Sequence, residues 1–248
     1  MSPEVIAAFV AAGAAVLSSL LALWGQMRIL RLTAAHETDK RRADKQDEVE
    51  RVMSRYREPL VRAAYDLQSR LYNITTQNFL KTFWVNGTKE ERGYAVNNTL
   101  FLVAQFFCWN EILRRDVQFL DLGGEEPTRR LSRLQDDITD LCGTDRHGRA
   151  FRIFAGDQRA IGERMIRKGT SGLECLGYAD FADTVRQQPT RIPHLDLLRQ
   201  DVEALAQAPD PRNPRLILLQ NALIDLLDHL DPGFLRFPKE RRSKLSPS

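Results

Sequence analysis

Residues 5–24 read VIAAFVAAGAAVLSSLLALW, twenty positions without a charged side chain. No other feature narrows the folding options of this 248-residue chain as far. A helix needs about twenty consecutive apolar residues, at ~1.5 Å each, to cross the hydrocarbon of a bilayer. Seven of the twenty are alanine, so insertion rests on Val5, Ile6, Phe9, Val10, Val16, Leu17, Leu20, Leu21, Leu23 and Trp24. Trp24 stands where an interfacial aromatic belongs. The competing reading is a cleaved signal peptide, but only Glu4 precedes the run and no A-x-A site follows it. A signal peptide wants a basic leader and a small-residue cleavage site. The expectation is an uncleaved single-pass anchor over residues 1–27, with the lipid bilayer as partner of residues 5–24.

Charge asymmetry sets the expected orientation. Arg28, Arg31, Lys40, Arg41, Arg42 and Lys45 follow the run, and no lysine or arginine precedes it. The positive-inside rule then places the N-terminus outside and the C-terminal domain in the cytosol. Asn-x-Ser/Thr triplets at Asn73, Asn86 and Asn97 are incidental in that topology. Small residues recur at Ala8, Ala12, Ala15, Ser19 and Ala22. Stripes of this kind let helices approach closely, which allows a homo-oligomer beside the plainer reading of an alanine-rich span.

Past the anchor, no glycine or proline interrupts residues 26–58, and mixed charge dominates them. As one helix they would be about 50 Å long. Ala35, Arg42, Val49 and Tyr56 make poor coiled-coil seam positions, so residues 28–58 read as a charged helical stalk, coiled-coil-like at most. Pro59 suits the first turn of a new helix, on which Leu60, Ala64, Leu67, Leu71 and Ile74 form an apolar face. Asn86-Gly87 breaks the chain. A helix over about 90–120 follows, and its TLFLVAQFFCW run predicts a central buried element. Leu122-Gly123-Gly124 should end it, and Pro127-Thr128 should open the next helix. FRIF (151–154) and LECLGY (173–178) read as two short strands around a helix over about 157–168. Short helices over about 179–187, 193–207 and 214–230 complete the pattern. The fold class expected is mainly α: a transmembrane helix, a long juxtamembrane helix, and a compact multi-helix domain over 59–238 with at most two short strands.

The net charge of +3 is unevenly placed. Residues 236–248 hold five basic side chains against Glu240, which leaves the rest of the chain at −1. Residues 239–248 accordingly read as a basic disordered tail. A nearly neutral body excludes the broad basic footprint of a nucleic-acid-binding domain. Cys108, Cys142 and Cys175 lie more than thirty residues apart, form no CxxC pair, and fit a reducing compartment.

Two segments carry candidate ligand-binding residues. Arg62, Asp66, Arg70 and Asn73 recur at helical spacing beside the apolar face. Turned inward they would make a charged pocket for a small anion or nucleotide; turned outward, Asp66 would simply pair with Arg62 and Arg70. In AGDQRAIGE, Asp157 marks a helix start, where free N–H groups attract anions. Asp157 is also an ordinary cap that would fill those donors itself, and Arg159 and Glu163 are spaced to pair with each other. No phosphate-binding glycine loop, HExxH, Cys/His cluster or nucleophile elbow occurs, so no catalytic residue, metal or cofactor is expected.

The stretches RYREPL (55–60), DLQSRLYN (66–73), NTLFLVAQFF (98–107), QFLDLG (118–123) and FRIFAGDQRAIGE (151–163) resemble uncharacterised single-pass membrane-anchored helical proteins. That group has no assigned activity, so the resemblance implies an architecture and no residue roles. The function expected is a membrane-tethered cytosolic interaction or regulatory domain, with a protein partner of unknown identity and no enzymatic reaction. The alternative is a membrane-anchored enzyme or small-anion sensor built on the Arg/Asp/Asn cluster.

Overall fold

A computed structural model describes residues 3–117, 126–170, 172–187 and 192–246 of the chain. Helix dominates, as the apolar periodicities require. In order come α1 (Pro3–Thr76), a π-helical turn (Lys81–Val85), α2 (Lys89–Val117), α3 (Glu126–Gly143), α4 (Ala155–Met165), strands β1 (Ile166–Gly169) and β2 (Gly172–Cys175), α5 (Tyr178–Gln187), α6 (Asp196–Gln207) and α7 (Pro214–Leu230). Two compact units divide between Arg51 and Val52, seven residues before the expected boundary at Pro59.

The first unit is the N-terminal part of α1. Its described apolar side chains, Leu17, Leu20, Leu21, Leu23 and Trp24, are exposed, as are Met27, Ile29, Leu30 and Leu32. The Arg28 guanidinium lies 5.5 Å from the Trp24 ring centroid, and Arg41 pairs with Glu37 one turn away at 3.8 Å. Among the described residues, no helix is long and apolar enough to cross a membrane. The side chains of residues 5–12 and 14–16, most of the uncharged run, lie outside the described residues.

Pro59 does not open a new helix. It lies inside α1, where a proline removes one backbone donor and is normally disruptive. The apolar face that follows it, with Leu60, Leu67, Leu71 and Ile74 at 1–2% exposure, is packed in the core and holds the helix together across the missing bond. α1 ends where Asn78 takes a left-handed conformation (φ 52°).

The second unit is built around α2. Leu100, Ala104, Phe106, Cys108 and Ile112 are fully buried there, and Phe101 nearly so. α4 packs closely on α2: a Cβ at Gly162 would stand 2.6 Å from the Phe107 carbonyl oxygen. α3 and α7 form a second packed pair. The two strands form one antiparallel hairpin in which Ile166 faces Cys175 and Gly169 faces Gly172. This corrects the expected strand at 151–154. Phe151 has φ 59°, incompatible with a strand, because its amide donates to Asp201 Oδ2 at 2.7 Å. The Ile153 amide meanwhile caps the Cys142 carbonyl at 2.9 Å. The helix expected to reach 168 stops at Met165, and residues 166–169 become β1. Leu122-Gly123-Gly124 lies outside the described residues.

The C-terminal segment also departs from expectation. It is not a free basic tail. Lys239–Arg241 form a 3-10 turn, and the chain beyond it lies along α7, where aspartates neutralise its charge.

Candidate functional site

The two predicted clusters do not converge. Arg62 is exposed and pairs with Glu58 at 3.5 Å. Asp66, half-buried, makes no ion pair with Arg62 or Arg70 among the described residues. Burial pushes its carboxyl above the usual aspartate value, with Arg62 opposing. Arg70 turns inward: it is 8% exposed, its Nη2 donates to Asn98 Oδ1 at 2.6 Å, and its guanidinium carbon lies 3.9 Å from the Phe79 ring centroid. Arg70 Nη1 is buried without a hydrogen-bond partner. Burial pulls this guanidinium below its usual value, with Tyr94 and Tyr178 pulling the other way. Asn73 is half-buried, and its carbonyl accepts the Gln77 amide at 3.1 Å.

On α4, Asp157 does not cap its own helix; its Oδ1 lies 2.9 Å from His194 Nδ1. Arg159 is exposed. Glu163 pairs with Arg115 of α2 at 3.0 Å rather than with Arg159. Arg115 also donates to the buried Glu111, as does Arg114 through two bonds of 2.7 Å. The Arg115–Glu163 pair joins α2 to α4. Among the described residues, no group of three or more His, Cys, Asp or Glu side chains could hold a metal ion.

The most elaborated polar site lies elsewhere, between α7, α1 and residues 239–246. α7 ends at Leu230, and the chain reverses over Pro232–Leu235, where Phe234 has φ 53°. Asp231 organises the reversal by accepting the amides of Leu235 (3.0 Å), Arg236 (3.2 Å) and Phe237 (3.4 Å). Phe237 then stacks on Tyr65 of α1 at 3.6 Å, and Arg236 pairs with Glu58 at 2.8 Å.

The returning segment is held by two kinds of contact. Side-chain amides read its backbone. Gln68 Nε2 donates to the Arg241 carbonyl (3.3 Å), and Gln220 Nε2 to the Ser243 carbonyl (3.0 Å). Asn221 accepts the Leu245 amide and donates to the Leu245 carbonyl, both at 2.8 Å. Carboxylates hold its basic side chains. Arg242, its side chain 1% exposed, donates to Asp228 at 3.1 Å, to Asp231 Oδ2, and to the Phe237 carbonyl at 2.8 Å. Lys244 pairs with Asp225 at 2.6 Å. A cleft of about 330 Å³ runs beside this strap, lined by Tyr65, Gln68, Ser69, Tyr72, Glu240, Arg241 and Ser243.

Sequence reasoning missed this site because it judged residues 239–248 by charge alone. The available signal was the spacing of Asp225, Asp228 and Asp231 at three-residue steps on one side of α7, matched to a tail rich in arginine and lysine.

No family model, curated protein or solved structure matches this chain.

Proposed function

We propose that the chain is a membrane-tethered helical interaction or regulatory domain, with its folded unit on the cytosolic side. The observation that carries this reading is the exposure of Leu17, Leu20, Leu21, Leu23 and Trp24, each 55–63% accessible on a helix. Large contiguous apolar surface marks a membrane or protein contact, and it continues the uncharged run of residues 5–24. Arg28 beside the Trp24 ring fits the headgroup level, where aromatic and basic side chains gather.

The test is alkaline carbonate extraction of membranes from cells expressing the full chain. The wild type should stay in the pellet. Leu17→Arg with Leu20→Arg, each adding about 2.5–3.5 kcal/mol to insertion, should move it to the supernatant. Wild-type release by carbonate would end the tether reading.

Arg70 Nη1, buried and unpartnered, favours a second reading, a small-anion sensor. Inorganic phosphate should then raise the thermal midpoint of the wild type and leave Arg70→Gln unmoved; no shift in the wild type would remove it.

A further inference from the structure

The side-chain amide and carboxylate contacts to residues 241–245 would be the same in number and geometry if that segment belonged to another molecule. Gln68, Gln220 and Asn221 bind main-chain atoms of residues 241–245, and Asp225 and Asp228 bind charged side-chain ends. Only the reversal at Pro232–Leu235 makes the arrangement intramolecular. That reversal is short and exposed, Leu235 being 87% accessible. It also places Phe234 in the left-handed region, which costs a non-glycine residue free energy that an opened chain recovers. Short strained hinges of this kind favour exchange of a terminal segment between identical chains.

We propose that the groove formed by α7 and α1 is an interaction surface between copies of this chain, each receiving residues 236–246 of the other. The occupant is fixed by what fills the groove: an extended segment with Arg242 inserted between Asp228 and Asp231, and Lys244 on Asp225. Phe237 and Arg236 travel with the strap and meet the other copy's Tyr65 and Glu58. Exchange trades each contact of residues 241–245 with Gln68, Gln220, Asn221, Asp225 and Asp228 for its equivalent, so for these its net cost is chiefly the entropy of association. Tethering two copies to one membrane raises their effective concentration and offsets that cost. The inference rests on the interaction reading above, which carbonate extraction tests separately.

The Lys244–Asp225 pair supplies its own reporter, because a carbodiimide joins an amine and a carboxylate at 2.6 Å into an amide, taking up the water lost and leaving as a urea. Unlabelled and nitrogen-15-labelled full chains, reconstituted together in lipid vesicles and incubated warm below the unfolding midpoint, would be cross-linked and digested. Mixed-isotope Lys244–Asp225 peptides are expected to rise with incubation towards the abundance of the same-isotope pairs. Asn221→Ala, which touches neither reacting group, removes the same two hydrogen bonds from the closed and the exchanged form, so it should speed the rise of the mixed pairs and leave their final ratio to the same-isotope pairs unchanged. Same-isotope peptides alone would overturn the proposal and leave the strap a fixed intramolecular element. Mixed pairs already at their final level on mixing, with no rise during warm incubation, would be collisions and would overturn it too. Absence of the cross-link in any form would remove the groove itself, whatever carbonate extraction had shown about the tether.

Discussion

Arg215 is 1% exposed, and its guanidinium is surrounded by main-chain carbonyls. It donates to Ala150 (3.1 Å), Cys142 (3.2 Å), Thr144 (2.8 Å) and Gly148 (2.7 Å), and to Leu141. One side chain thus gathers the end of α3 and the following loop onto α7. Arg215→Ala leaves those acceptors without donors, and a cost of at least about 3 kcal/mol is expected. Arg215→Lys should recover only part of it, since an ammonium lacks the planar fork that reaches several carbonyls. Urea unfolding of both variants measures this; a loss under about 1 kcal/mol for Arg215→Ala would mean water replaces the guanidinium. Asp66 offers a test of sign. Its carboxyl is raised above the ordinary 3.8 by burial, against the pull of Arg62, so the folded protein holds this proton more tightly than the unfolded chain does. That stabilisation is complete below 3.8 and is lost as pH rises through the raised value. Asp66→Asn, which cannot ionise, should therefore be more stable than the wild type at neutral pH, with the advantage shrinking in acid. A variant less stable at neutral pH would show that the carboxylate has a partner there.

At the scale of elements, the contact of α4 with α2 depends on a missing side chain. Alanine is ordinarily the better helix former by about 1 kcal/mol. At Gly162, however, the added Cβ would come within 2.6 Å of a backbone oxygen and 3.1 Å of the Glu111 Cβ. Helices must then separate, and overpacking of this kind typically costs about 1–3 kcal/mol, which outweighs the propensity gain. Gly162→Ala should lower the thermal midpoint, while Gly156→Ala, with nothing within 4 Å of its added carbon, should not. Equal midpoints for the two would mean α4 moves freely on α2. The same scale explains which elements were legible. The predicted span 214–230 is α7 to the residue, because Asn213 caps it by accepting the Arg215 and Leu216 amides and Pro214 opens it. Of the two expected strands LECLGY overlaps β2, while FRIF is held out of extended pairing by the Phe151 amide on Asp201 and the Ile153 amide on the Cys142 carbonyl.

For the molecule as a whole, the charge asymmetry about residues 5–24 makes a topological prediction. Protease added to intact cells should leave the chain beyond Arg28 uncut if the folded unit is cytosolic; cleavage of that unit under these conditions would reverse the orientation.

A mainly helical chain, the boundaries of its best-capped helix and the burial of the run around Phe106 were legible in the residues alone, because period and capping are local properties. So was the paired spacing of Arg62, Asp66, Arg70 and Asn73. Tertiary structure decided what that spacing meant. Side chains three and four residues apart share a side of a helix, yet Arg62 lies exposed beside Glu58 while Arg70 is drawn under Phe79 to Asn98. The packing of α2 made that choice, and nothing within α1 encodes it. The strap was beyond reach for the same reason. It is held by residues up to 173 positions away in the chain, as Gln68 of α1 donates to the Arg241 carbonyl. A tail's own charge predicts solvation until the fold brings three aspartates beside it.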